Sequence, residues 1–188
     1  MTEVLESHRA DTGSHGAVFV RRSLIALTAI GILAAAFELA TDRHWNSLEQ
    51  LIPWAALVVL AVATVLAVIP GERGVIAARV LALLVLAASI YGVITHILVN
   101  YNAGVLDQRF ATTWDGLPVL QRWWYAATKT VGPAPTLAPG VLGQTALLLL
   151  LATLTGRHDH NLKRVHRRPT TQAPATGSAA TQPAVRGE

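Results

Sequence analysis

Cysteine is absent from this 188-residue chain. That excludes disulfides, thiolate metal sites and cysteine nucleophiles. Charge is scarce as well: Asp, Glu, Lys and Arg make up 14% of residues, against about 25% in ordinary soluble domains. Ser23 and Ser89 have neither a Gly-x-Ser-x-Gly elbow nor triad partners around them. No phosphate-binding glycine loop and no nucleic-acid module occurs. The net charge of +4 comes from Lys and Arg beside apolar runs, where such residues set membrane topology.

What the chain does have is hydrophobic length, with 52% apolar residues. Runs at about 22–41, 52–69, 75–100 and 139–155 each approach or exceed the ~20 residues that cross a hydrocarbon core of ~30 Å. They leave no room for a second domain of ordinary size. The pattern predicts an all-α polytopic membrane protein, a four-helix transmembrane bundle occupying residues 21–156. Residues 1–20 read as a polar N-terminal tail. Arg21 and Arg22 followed by an apolar run ending in Ala34-Ala35-Ala36 imitate a secretory signal, but the long polar lead favours an uncleaved first span.

Pro53 falls where the second span begins, a position at which its missing N–H costs nothing. Pro70-Gly71 ends that span, so spans two and three form a tight antiparallel hairpin. The long connection 101–139 is patterned. Leu120, Trp123, Trp124 and Ala127 recur at helical spacing, predicting a short interfacial helix over about 117–129. Pro133, Pro135 and Pro139 then keep the chain extended until span four opens. After residue 156 the chain turns basic over 157–168. From Pro169 it is rich in Thr, Ala, Pro and Gln, which predicts disorder. His158, Asp159, His160 and His166 lie in this flank without a fixed geometry and read as solvated.

Lys and Arg cluster at Arg9, Arg21, Arg22, Arg73, Arg79, Arg157, Lys163, Arg164, Arg167 and Arg168. Only Arg43, Arg109, Arg122 and Lys129 occupy the other connections. The positive-inside rule therefore predicts a plasma-membrane protein with both termini cytoplasmic. All five tryptophans (45, 54, 114, 123, 124) then fall on the outer side. Trp45, Trp54, Trp123 and Trp124 are expected interface anchors on a surface made for headgroups or a partner. The basic flank is expected to meet anionic headgroups of the inner leaflet.

Glu38 is the only acidic residue inside a span. It lies about 24 Å beyond Arg22 at 1.5 Å per residue, and His96 lies about 24 Å beyond Val80. Gln144, one turn into span four, falls near that level. Gly31, Ala35 and Glu38 form one stripe; Ser89, Gly92 and His96 form another. Small residues permit close helix approach, so the two stripes are expected to face each other. Glu38, His96 and Gln144 admit several readings: a register-fixing polar cluster, a ligand, proton or quinone-like site, or a metal site with His44 as a further ligand. His44 and Asn100 sit at the outer rim. Haem on His96 lacks a second deep histidine, and no cofactor is expected.

His96 near the outer end of span three, followed by GPAPTLAPGVLGQ at the approach to span four, resembles small uncharacterised four-span bacterial membrane proteins. The resemblance covers mostly residues 90–155. It implies the architecture and carries no activity or site residues. The expected function is a non-enzymatic accessory or structural subunit of a membrane assembly, in contact with the lipid bilayer and other membrane subunits. The alternative is a small-ligand, proton or metal binding or transport-related protein using the polar cluster.

Overall fold

The computed structural model describes the backbone of residues 2–166 and the side chains of residues 15–155. The elements are α1 (Thr2–Thr41), α2 (Leu48–Val68), α3 (Glu72–Ala103), α4 (Val119–Ala127) and α5 (Ala138–His166). Short 3-10 turns at Gly104–Leu106 and Trp114–Gly116 lie between α3 and α4, and no strand occurs among the described residues. Among the described residues, four stretches are long and apolar enough to cross a membrane: His15–Thr41, Leu48–Val68, Glu72–Leu106 and Ala138–Thr155. The fold is an all-α membrane bundle of four spans, with α4 in the long connection.

Element ends differ from the expected ones for identifiable reasons. The helix of span one starts at Thr2, because residues 2–20 contain no proline and an adjoining span removes the cost of nucleation. Span two starts at Leu48, where the Ser47 hydroxyl accepts from Gln50 N (3.3 Å) and Gln50 Oε1 accepts from Asn46 N (2.7 Å). This Ser-x-x-Gln start is a close variant of the capping box. It places Pro53 in the helix interior, not in a cost-free first turn: the Glu49 carbonyl loses its i+4 donor. The last helix continues through the basic flank to His166. The disorder expected from Pro169 onward lies outside the described residues.

In the bundle α5 packs on both α1 and α3, while α2 packs on α3 and, less extensively, on α1. The core is alanine-rich: Ala63, Ala67, Ala78, Ala82 and Ala146 are fully buried or nearly so around Leu60, Val85 and Leu149. Small side chains bring the helix backbones close, which is the principal attraction available where water drives nothing. At the end carrying the 69–71 hairpin turn, arginines tie helices together. Arg21 donates to the Ala67 carbonyl (2.6 Å), and Arg79 donates to both the hydroxyl and the carbonyl of Thr153 (3.0 and 2.6 Å). Arg21 thereby serves one of the carbonyls that the C-terminus of α2 leaves unpaired.

At the other end, residues 104–137 fold into a compact cap. Trp114, Ala126 and Val131 are buried in it, packed by Ile97, Tyr101, Phe110, Leu117 and Tyr125. The rings of Tyr101 and Trp123 lie 4.7 Å apart, and those of Phe110 and Tyr125 lie 5.2 Å apart. Trp114 belongs to this second core and is not a surface tryptophan.

Candidate functional site: the polar seam beneath the cap

Ser89, Gly92, His96 and Asn100 are spaced three, four and four residues apart, which puts them on one face of α3. That face meets the segment leading into α5. Ser89 Oγ donates to the Pro139 carbonyl (2.5 Å), and a side chain on Gly92 would collide with the Pro139 ring. His96 Nδ1 bonds the Pro135 carbonyl (2.8 Å). A carbonyl only accepts, so Nδ1 is the donor here, and in the tautomer this selects Nε2 is left as the acceptor.

Asn100 completes the seam and is fully buried. Its Nδ2 donates to the carbonyls of Ala134 (2.9 Å) and Ala126 (3.2 Å), and its Oδ1 accepts from Ala134 N (2.8 Å). Gly132, at φ +82°, packs directly on Asn100 and leaves no space for a Cβ. Thr136 Oγ1 closes the turn by donating to the Ala127 carbonyl (2.8 Å). The prolines that forbid a helix here leave both backbone groups of Ala134 to Asn100, while His96 adds a second donor to the Pro135 carbonyl, which also accepts from Ala138 N (3.2 Å).

Outside the spans, Arg109 braces the cap. It forms a two-point pair with Asp107 (2.7 and 3.0 Å) and donates to the Thr130 carbonyl (2.6 Å). Its hydrogen bonds hold the Asp107 carboxyl below the usual carboxylate range, and Asp107 in turn raises the Arg109 guanidinium. Arg122 lies over the Tyr101 ring, 5.7 Å from its centroid, with Asp115 3.8 Å away.

Glu38, His96 and Gln144 are not brought together. Gly31 of α1 lies against Thr145, and Gly143 of α5 lies against Ser89, so both small-residue stripes face α5 instead of each other. Counting from Gly31, Glu38 falls level with about Ala138, at the same end as His96 but on the far side of α5. Gln144 is six residues, or about 9 Å, further into the bundle. It is exposed and lines an open, apolar groove of about 340 Å3 between α3 and α5. Among the described residues, no hydrogen bond or ion pair joins Glu38 to His96 or to His44. Nor do three or more His, Asp or Glu residues gather there in a way that could hold a metal ion.

The tryptophans divide by role. Trp54 is half-buried; its indole donates to the His44 carbonyl (2.8 Å), and its ring lies 6.5 Å from that of Trp45. It latches the 42–47 turn. Leu120 and Trp124 are 82% and 66% exposed, while Arg122, Gln121 and Tyr125 turn towards the cap. The apolar side of α4 therefore faces outward. The Asn100 hub was detectable beforehand: it continues the stripe of Ser89, Gly92 and His96 by one more turn.

No family model, curated protein or solved structure matches the chain. Fold and seam define a class, a four-span all-α membrane protein with a hydrogen-bonded cap over one end of the bundle.

Proposed function

We propose that the chain is a non-enzymatic structural or accessory component of a membrane assembly. The observation that carries this reading is the use of polarity inside the bundle. Ser89, His96 and Asn100 are each committed to backbone groups of residues 126–139, so polar groups in the span fix the cap. Polar side chains that hydrogen-bond within a membrane commonly act as packing glue. The cap presents Val119, Leu120, Trp123 and Trp124 outward, a surface suited to the membrane interface or a neighbouring subunit.

The basic residues at both termini, with Arg73 and Arg79 just after the 69–71 turn, favour a plasma-membrane protein with cytoplasmic termini and the cap outside. The basic flank 157–168 would then lie against anionic headgroups. A second reading, small-ligand or metal binding, draws on the His96 Nε2 acceptor. Purification in mild detergent separates the two. An integral membrane protein co-purifying at fixed stoichiometry supports the structural role. A bound chromophore in the ultraviolet–visible spectrum, or one metal per chain by elemental analysis, would overturn it.

A further inference from the structure

The exposed side of α5 carries a heptad seam. Gly140, Gln144, Leu147, Leu151 and Leu154 follow at spacings of four, three, four and three, the a/d rhythm of a coiled coil. Leu147, Leu151 and Leu154 are 47%, 50% and 54% exposed. The intervening Leu142, Ala146, Leu149 and Ala152 are buried in the bundle, so this seam is distinct from the face that holds α5 in place.

Lipid alone accounts for exposed leucines but not for Gln144. Its amide stands on the seam about 9 Å inside the start of α5 and makes no hydrogen bond with another described residue. An unpaired amide in hydrocarbon is costly. Beside it, Ile90 and Ile94 of α3 are 55% and 50% exposed and flank the groove that Gly140 and Gln144 line.

We propose that this face is a homodimer interface, in which the α5 seams of two copies pack in parallel and Gln144 hydrogen-bonds to its own counterpart. Three features select a second copy. A carboxamide carries both donor and acceptor and so complements itself. Copies inserted in the same direction hold residue 144 at the same depth, and a two-fold axis along the membrane normal brings each to its equivalent. A single polar amide at an a position is also the device by which coiled coils fix register and partner number. Gly140, with open space around it, lets the two backbones approach near the cap. The interface depends on α5 lying in the membrane and not on the accessory role, so co-purification and dimerisation succeed or fail separately.

The test exploits the absence of native cysteine. Gln144→Cys and Leu151→Cys chains, oxidised in the membranes in which they were inserted, are expected to form disulfide-linked dimers. Leu33→Cys is the control: Leu33 is 70% exposed on α1 and about level with Gln144, and it should remain unlinked. Equal linkage at Leu33→Cys, no dimer at either seam position, or linkage only to a protein of different mass would overturn the proposal. Energy transfer between labelled chains in phosphatidylcholine vesicles supplies the affinity. Gln144→Leu should weaken the dimer about three- to twentyfold, the range of interhelical polar contacts in membranes. An unchanged dissociation constant in that variant would also overturn it.

Discussion

Asn100 and Ala134, 34 positions apart, hold each other through two hydrogen bonds: Asn100 Nδ2 donates to the Ala134 carbonyl at 2.9 Å, and Ala134 N donates to Asn100 Oδ1 at 2.8 Å. The pairing imitates the two-point contact of neighbouring strands and fixes the cap to α3 at a buried position.

Asn100→Ala should therefore cost about 3 kcal/mol, since it strands both Ala134 groups and removes one of the donors to the Ala126 carbonyl, which keeps the backbone N–H groups of Thr128 and Lys129. Asn100→Asp keeps the acceptor for Ala134 N but turns a carboxylate towards the Ala126 and Ala134 carbonyls at a buried position, so it should cost at least as much as alanine. Thermal unfolding in detergent checks the order. A loss under 1 kcal/mol for Asn100→Ala would mean that water reaches these groups.

Glu38→Gln and His96→Leu should have additive effects on stability. The two residues lie on opposite sides of α5, and independent sites add to within about 0.5 kcal/mol. A double-mutant cycle on the same thermal readout decides it. A larger coupling would mean that the side chains meet in the membrane.

The sequence revealed this fold to different depths. Span number was legible because hydrocarbon thickness fixes the length of a crossing helix. The stripes through Gly31 and Ser89 marked packing faces correctly, since small residues have little other reason to recur at helical spacing. Their partner was not legible, because any of three helices could meet such a stripe. Gly143 and Thr145, the small residues on α5 that receive both stripes, become informative only once contacts are known. Of the residues at helical spacing on α4, Leu120 and Trp124 stand outward, while Trp123 also packs on Tyr101 and Ala127 is half-buried. Nothing local distinguishes Trp114 from Trp124, and burial of Trp114 depends on Phe110, Tyr101 and Ala126 closing around it.

Acid should loosen the cap before it unfolds the bundle. The folded-state pKa of Asp107 lies below its ordinary 3.8, so its pairing contributes fully above that value. The contribution falls as pH drops through about 4 towards the lower folded value, because the unfolded chain binds the proton first. Amide exchange of residues 104–131 should rise over that window in wild type. In Asp107→Asn the same segment should exchange faster at neutral pH and lose its added response to acid.

Reporter fusions after residues 47, 73, 115 and 170 test orientation. Positions 73 and 170 should report a cytoplasmic location, and 47 and 115 the opposite side, because Lys and Arg concentrate around the former pair. External accessibility at 73 or 170 would reverse the assignment.

The outward side of α4 makes a prediction about depth. Trp124 is 66% exposed and Trp123 39%, whereas Trp114 is 2% exposed and enclosed by Tyr101 and Phe110. Leu120 and Val119, at 82% and 58%, continue the same apolar surface. A tryptophan at the membrane interface places its ring at headgroup level, where lipids brominated near the top of the acyl chain quench its fluorescence. Chains keeping only Trp124, with the other tryptophans replaced by phenylalanine, should be quenched strongly by shallow bromines and weakly by deep ones. Chains keeping only Trp114 should respond little to either, because the cap shields the ring. Leu120→Glu offers an independent check: it leaves the buried side of α4 intact, so thermal stability in detergent should change by less than about 0.5 kcal/mol. In vesicles the same substitution should reduce quenching of Trp124, because a carboxylate draws this face out of the interface. Strong quenching of Trp124 by deep bromines would place α4 within the hydrocarbon, and equal quenching of Trp114 would mean that the cap opens in lipid.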